Sequence, residues 1–340
     1  MPDLALVVVN WNVRDLLIAC LGTTQQAIDA AGLDGEIWVV DNASHDDSVA
    51  VLKTWFPNVR LIASSTNLGF AGGNNLALRE IGFQVQAPTA GYQLTGGGDE
   101  AQMEPDGLSS VARDLPEYVL LLNPDTSVQP DAIHHLVRFM EQHPRVGVCG
   151  PRLVYGDGSF QHSAYRFPSL AQIWLDFWPI NWRLTYSRLN GRYPGRLYED
   201  GEPFEIDHPL GAAMLFRREV IAQTGGFDLD YHMYVEEIDW CIRIKRAGWQ
   251  IFCVPRAQIV HFEGQSTKQV RPEMILALWR SRTILFDKHY SPLFRWAARR
   301  LIRAGMRAKI RRVQNEMRNG EIREAEAQLL IDAYRQVIEM

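Results

Sequence analysis

Tyr118-Val119-Leu120-Leu121-Leu122-Asn123-Pro124-Asp125-Thr126 is the stretch on which the reading of the whole chain turns. Its first five residues are apolar or aromatic and uncharged, the pattern of a strand buried on both faces of a sheet. Pro124 cannot donate to a ladder, so the strand stops near Asn123 and Asp125 emerges at its carboxyl end. In an open α/β sheet the carboxyl ends of the strands border the ligand crevice. Asp125 is therefore either the cap of a helix opening near Pro130-Asp131 or a carboxylate set where a hard cation can meet a phosphate.

Working outward, the same alternation continues on both sides. Leu4-Ala5-Leu6-Val7-Val8-Val9, Glu36-Ile37-Trp38-Val39-Val40 and Val59-Arg60-Leu61-Ile62-Ala63 read as strands, with helices over residues 15–31 and 48–56 between them. Short strand–helix–strand steps demand right-handed crossovers and hence a parallel sheet covered on both faces. The first strand runs into Asn10-Trp11-Asn12 and the second into Asp41-Asn42-Ala43-Ser44. Next comes Asn67-Leu68-Gly69-Phe70-Ala71-Gly72-Gly73-Asn74-Asn75, ahead of a helix expected over 76–81. Its glycines either let backbone approach a ligand or mark a plain flexible loop. The run is neither GxGxxG nor a Walker A loop, and the missing GxGxxG after the first strand disfavours a dehydrogenase. Residues 84–115, with Gly96-Gly97-Gly98-Asp99-Glu100 and no periodicity, read as a flexible insertion. Beyond Asp125, a helix over 131–142 and the strand Val146-Gly147-Val148-Cys149-Gly150 resume the alternation. Residues 152–205 then turn aromatic-rich, Trp174, Trp178, Trp182 and Tyr186 among them, either an acceptor platform or an extra lobe packed on the sheet edge.

A second cluster of chemistry lies further on. Gly211-Ala212-Ala213-Met214 opens a strand, and a helix ending at Ala247 begins with Glu236, Glu237 and Asp239. Acids in a first turn complement the helix dipole. Flanked by Tyr234 and Trp240, such a carboxylate would have its pKa raised toward use as a general base. His261 ends the apolar run Ile259-Val260-His261, either as a hydrogen-bonded core residue or as a cation ligand. With Asp125, diphosphate oxygens and water it would complete an octahedral set for Mg2+ or Mn2+.

Composition narrows the class. Of 340 residues 46% are hydrophobic and 22% charged, as in a folded globular protein, and the net charge of -5 argues against nucleic acid as a partner. Cys20, Cys149, Cys241 and Cys253 form no CxxC pair and read as buried thiols of a reducing cytosol. Neither a signal peptide nor an apolar run of about 18 residues is present, so a cytoplasmic protein, soluble or peripheral on a membrane, is expected. From Pro272 onward the pattern is helical. Over 295–312 Arg295, Arg299, Arg300, Arg303, Arg307, Lys309, Arg311 and Arg312 interleave with Trp296, Leu301, Ile302, Met306 and Ile310 without one acid. Such a helix suits an anionic membrane surface, or it packs on the body of the protein or on a second copy in a homo-oligomer.

In order and spacing, the motifs at 7–12, 39–44, 67–75, 122–126, 211–214 and 236–239, with His261-Phe262-Glu263-Gly264-Gln265-Ser266, resemble the family-2 inverting nucleotide-sugar glycosyltransferases of the GT-A fold, most of all their bacterial rhamnosyltransferase-like members. The resemblance spans residues 4–267. It implies an α/β fold: a GT-A type nucleotide-binding sheet, mostly parallel and flanked by helices, in a domain over 1–270, with a helical C-terminal extension over 271–340. It implies a metal-dependent transfer of a sugar from dTDP-rhamnose, or from a UDP-sugar, to a saccharide or polyprenyl-linked acceptor in cell-surface polysaccharide synthesis, on the inner face of the cytoplasmic membrane. Asp41 matches the acid that contacts the base or ribose, and Asn10, Asn67, Gly69, Gly73, Asn74 and Gly211 fall among the donor-binding positions. Asn123 and Asp125 stand in the place of a DxD motif; with Asn123 replacing its first acid, the Mg2+ or Mn2+ would lean more on Asp125, His261 and the diphosphate. Glu237 matches the second acid of the paired-acid motif, the catalytic base, with Asp239 or Glu236 as alternatives. The rival reading is a sugar-binding protein of the same fold that has lost catalysis through Asn123, which donor hydrolysis with added metal would distinguish.

Overall fold

The computed structural model describes residues 2–85, 115–179, 187–231, 233–262 and 271–340. Most of the expected insertion over 84–115 lies outside them, as do Trp182, Tyr186 and Glu263-Gly264-Gln265-Ser266.

The first half is a run of strand–helix units: β1 (Leu4–Asn10), α1 (Arg14–Ala31), β2 (Gly35–Asn42), α2 (Ser48–Trp55), β3 (Arg60–Ser64) and α3 (Gly69–Ile81). β1 pairs in parallel with β2, and β2 with β3. β4 (Tyr118–Leu122) adds in parallel on the other side of β1, with Val8 opposite Leu122. All five residues of β4 are buried, as their uncharged run requires. Removing each of Val119, Leu120, Leu121 and Leu122 from water stabilises the fold by about 2 kcal/mol.

The glycine-rich run is helix, not loop. α3 begins at Gly69, well before the expected residue 76, so the glycines form its first turns. At Gly73 an added Cβ would stand 2.7 Å from Val9 Cγ1, a distance that no real side chain tolerates. The glycine lets α3 press directly on β1.

The second half is mixed. It comprises β5 (Thr126–Val128), α4 (Ala132–Gln142), β6 (Val146–Val154), β7 (Phe160–Gln161), β8 (Ala164–Tyr165), α5 (Leu170–Phe177), α6 (Gly195–Glu199), β9 (Phe204–Glu205), β10 (His208–Pro209), β11 (Ala213–Arg217), α7 (Arg218–Thr224), α8 (Glu236–Arg246) and β12 (Gln250–His261). β11 inserts antiparallel between β4 and β6, β12 runs parallel to β6, and β5 closes the edge antiparallel to β12. The main sheet therefore runs β3-β2-β1-β4-β11-β6-β12-β5, flanked by helices as the fold class implies. The apolar run that ends at His261 belongs to a longer strand, begun at Gln250, whose register slips between Val254 and Gln258, around Pro255. A bulge is where a strand admits proline.

One apolar layer on the sheet contains side chains of α1 and α4, and another contains those of α3, α7 and α8. A third cluster joins α5 and α8 to the C-terminal helices α9 (Arg271–His289), α10 (Pro292–Arg318) and α11 (Glu324–Glu339). α10 crosses α5 so closely that a Cβ on Gly305 would overlap the Phe177 ring. All four cysteines are free and buried. Among the described residues no helix is long and apolar enough to cross a membrane.

Candidate active site

The antiparallel entry of β11 gathers the site. Its amino end lies beside the carboxyl end of β4, with Ala213 opposite Leu122 and Asn123 N–H donating to Ala212 O at 2.9 Å. The carboxyl ends of β1 and β2 share that edge, with Asn10 opposite Asp41. Asn10 Nδ2 donates to Asp41 Oδ1 at 2.8 Å and to Ser44 Oγ at 3.1 Å, while Asp41 Oδ2 accepts Ser44 N–H at 3.0 Å. Both side chains are buried, and Asn10 Oδ1 has no protein partner. The loops behind them turn through left-handed Asn12 (φ 54°) and Ala43 (φ 60°). Asn67 Oδ1 accepts Gly69 N–H at 2.8 Å and Asn42 Nδ2 donates to Gly69 O at 3.0 Å, which together shape the entry to α3.

Two of the residues expected to bind the donor, Gly73 and Asn74, pack within the α3–sheet seam. Gly73 is filled against Val9, and Asn74 is buried with its amide donating to Phe70 O one turn back at 2.9 Å. Both serve the seam between helix and sheet, because the run that carries them is helical. The neighbouring Asn75 likewise exchanges two hydrogen bonds with the Phe227 backbone.

Asp125 does not cap a helix. It leads into β5, and α4 starts only at Ala132, after Asp131. The β5–β12 ladder sets His261 opposite Thr126, and Phe262 N–H donates to Asp125 O at 2.9 Å. His261 Nε2 thereby comes within 3.4 Å of Asp125 Oδ1, and both side chains are buried. On its other side His261 Nδ1 lies 3.2 Å from Gln161 Oε1. An amide oxygen only accepts, so the ring donates from Nδ1 to Gln161 and Nε2 is the nitrogen turned toward Asp125. A carboxylate oxygen and an imidazole nitrogen at this distance are held together by a proton or a cation between them. Their spacing is near the separation of about 3 Å between neighbouring ligands of an octahedral Mg2+. The donor set thus fits a cation. Among the described residues no group of three or more His, Cys, Asp and Glu side chains could hold a metal, so the remaining ligands would be substrate oxygens and water.

The acids of α8 divide into two roles. The helix follows Tyr234 and Val235, both left-handed at φ 69° and 61°. For a β-branched residue this conformation costs about 1–3 kcal/mol and persists only where its surroundings over-determine it. Glu237 is partly open, and the atoms of its side chain lie 3.7–3.8 Å from where a Cβ on Gly211 would stand. Gly211 precedes the Ala212 bonded to Asn123, so Glu237 stands over the same sheet edge as Asp125. Burial raises the Glu237 pKa against the lowering effect of helix-start amides. Burial raises that of Glu236 as well, followed by the charge of Glu237, and Glu236 Oε2 has no protein partner.

Asp239, the alternative to Glu237, has both carboxylate oxygens engaged. Its carboxylate accepts from Tyr231 Oη at 3.2 Å, Arg243 Nε at 2.8 Å and His289 Nε2 at 2.6 Å. Burial alone would push its pKa up, but the His289 bond and the Arg243 charge bring it down to about 2. Spacing from Asp239 to Arg243, one helical turn, was a readable sign of this pair. Gln161 and His289 carried no sequence signal, since each reaches the site only through tertiary packing.

A mostly parallel sheet of this order, flanked by helices and with an aspartate–histidine pair and two glutamates gathered at one edge, defines a GT-A type glycosyltransferase. Residues 2–275 match the family described as glycosyltransferase like family 2, and the chain belongs to that family. It is 30% identical over 277 residues, 77% of this chain and 79% of the relative, to the N-acetylglucosaminyl-diphospho-decaprenol L-rhamnosyltransferase of Mycobacterium tuberculosis. Similarity to the rhamnosyltransferase WbbL of Escherichia coli K12 is 26% over 189 residues, 55% of this chain and 63% of that protein. Among solved structures, a mannosyltransferase from Pyrobaculum calidifontis in complex with GDP-Man and Mn2+ superposes with a TM-score of 0.54 at 15% identity, covering 100% of this chain and 84% of that one. GalNAc-T7 with UDP, GalNAc and Mn2+ gives a TM-score of 0.50 at 13% identity over 82% of this chain, which spans about half (48%) of that structure. These structures share the fold.

Proposed function

We propose that the chain transfers rhamnose from dTDP-rhamnose, with inversion, to the sugar of a polyprenyl-diphosphate-linked acceptor in cell-surface polysaccharide synthesis. The observation that carries the reading is Glu237: a carboxylate of raised pKa, open past Gly211 and at the same sheet edge as Asp125 and His261. The mycobacterial relative, whose name joins rhamnose to a decaprenyl diphosphate acceptor, supports the choice of substrates.

In this mechanism Glu237 takes the proton of an acceptor hydroxyl as its oxygen attacks the anomeric carbon from the face opposite the diphosphate. One C–O bond forms, the bond to the diphosphate breaks, and its electron pair leaves with the nucleoside diphosphate. A single displacement inverts the anomeric centre. Asn10 and Asp41 would hold the nucleoside, with Asn67 and Gly69 shaping the wall beside it. Asp125 and His261 would hold Mg2+ or Mn2+, which when bound supplies positive charge to the diphosphate; the Mn2+ in the two similar structures supports this assignment. The acceptor's lipid would keep the enzyme at an anionic membrane, against which α10 turns an exposed face of Leu293, Trp296, Arg300, Arg307 and Arg311.

The test is product formation from dTDP-rhamnose and an N-acetylglucosaminyl diphospholipid with Mn2+. Glu237→Gln should lower turnover by about 10²–10⁴-fold while the donor still raises the melting temperature. Asp125→Ala should instead lose the Mn2+-dependent part of that thermal shift. Near-normal turnover of the Glu237 variant would place the base elsewhere, and turnover only with UDP-sugars would replace the donor.

A further inference from the structure

Asp239 is gripped from three sides, and one grip comes from far along the chain. His289 ends α9, 50 residues after Asp239, and its side chain is 7% exposed. Its Nδ1 lies 2.9 Å from Arg246 Nη1, a group that only donates, so Nδ1 accepts and the ring proton sits on Nε2. That Nε2–H donates to Asp239 Oδ1 at 2.6 Å. Arg243, on the other oxygen, continues to the carbonyls of Thr224 and Gly226. Two further residues of α9 hold the same segment. Ser281 Oγ donates to Met233 O at 2.7 Å, and Lys288 pairs with Asp228 and with Asp230.

The residues on either side of Tyr234 and Val235 are thus pinned by a single helix outside the sheet. Left to itself, a left-handed Tyr-Val pair would relax to ordinary backbone. Glu236 and Glu237 follow it directly, so relaxation would swing both carboxylates.

We propose that His289 is a positioning residue for sugar transfer: by donating to Asp239 it holds the Tyr234–Val235 turn left-handed and keeps Glu237 aimed at the acceptor hydroxyl. The proposal rests on Glu237 as the base. His289 touches no substrate and acts through Asp239. A glutamine at 289 carries an amide N–H where Nε2 stands and preserves the bond, whereas alanine removes it.

The experiment compares the full-length wild type with His289→Ala, His289→Gln and Glu237→Gln, reading kcat and donor KM with dTDP-rhamnose and Mn2+, and hydrogen exchange of a peptide spanning 233–239. His289→Ala should lower kcat by about 10²-fold, the cost of a misplaced reacting group, with donor KM unchanged and faster exchange in that peptide alone. His289→Gln should restore both. If the alanine variant does not fold, His289→Asn, which keeps a polar group near Arg246 but falls short of Asp239, takes its place. Unchanged kcat, or loosening that glutamine does not reverse, overturns the proposal. A fully active Glu237→Gln would instead overturn the base assignment; the exchange result, which needs no donor, then still decides whether His289 holds the turn.

Discussion

Glu236 and Glu237 are neighbours that meet different surroundings. Glu237 is partly exposed beside Gly211, whereas Glu236 is buried with one oxygen unpartnered. Glu237 accepts a proton only when ionised, and its pKa is raised, so transfer should fall as pH drops through that raised value. Asp239, near 2, titrates too low to account for such a limb. Burial is the first cause of the Glu237 shift. Glu236→Gln removes the more deeply buried carboxyl of the two. Its effect on stability runs with a definite sign. A carboxyl whose folded pKa is raised contributes stability at pH below its unfolded value and loses it as pH rises through the folded one. Relative to an always-neutral glutamine, the wild type should lose about 1.4 kcal/mol for each pH unit between the unfolded pKa of Glu236 and its raised folded pKa, and no more above it. Thermal unfolding from mildly acidic to alkaline pH reads this directly. A melting-temperature difference that stays flat with pH would mean that Glu236 is not buried as a neutral acid.

At the scale of elements, the sequence was most legible where each segment obeyed its own period. β1 and β4 are uncharged runs leading to Asn10 and Asn123, β2 is an apolar run between Glu36 and Asp41, and their order along the sheet edge follows from parallel crossovers. The insertion of β11 between β4 and β6 left no local mark, because its direction depends on partners far along the chain. α3 was misread for a physical reason. Glycine disfavours helix by about 1 kcal/mol per residue, yet close packing on β1 overrides that preference at Gly73. The paired acids were visible as a cluster, but what separates Glu237 from Asp239 is the company of Arg243 and His289, and the latter arrives from α9. The same reasoning predicts unequal costs at two glycines. Gly73→Ala forces Val9 aside and should destabilise by about 1–3 kcal/mol. Gly211→Ala meets Glu237 at ordinary contact distance, 3.7 Å, so its melting temperature should match the wild type while transfer slows. Equal melting temperatures for both variants would remove the packing account of the glycine-rich helix.

At the scale of the molecule, a chain of net charge -5 carries an acid-free basic face on one helix. α10 buries Ala298, Ile302, Gly305, Met306 and Val313 against its neighbours. Arg295 and Arg299 pair with Asp287, Arg312 pairs with Glu316, and Arg303 Nε donates to Ile338 O. Leu293, Trp296, Arg300, Arg307 and Arg311 remain exposed at spacings of three, four and seven residues, which is one face of a helix. Arg300 lies over the Trp296 ring at 5.1 Å. An indole and a leucine at one end of an arginine row suit the headgroup layer of an anionic bilayer, where the rings and apolar tips enter and the guanidiniums pair with phosphate. Each arginine near such a surface contributes about 1 kcal/mol. Replacing Arg300, Arg307 and Arg311 together by Gln should then weaken binding to phosphatidylglycerol vesicles by about 3 kcal/mol, roughly 10²-fold. Flotation should fall accordingly, and it should fall for the wild type as well when salt shortens the screening length. Turnover of a short, water-soluble acceptor should not change, because none of the three side chains lies at the cleft edge. A triple variant that floats as the wild type does would leave this face to protein packing and remove the membrane from the mechanism.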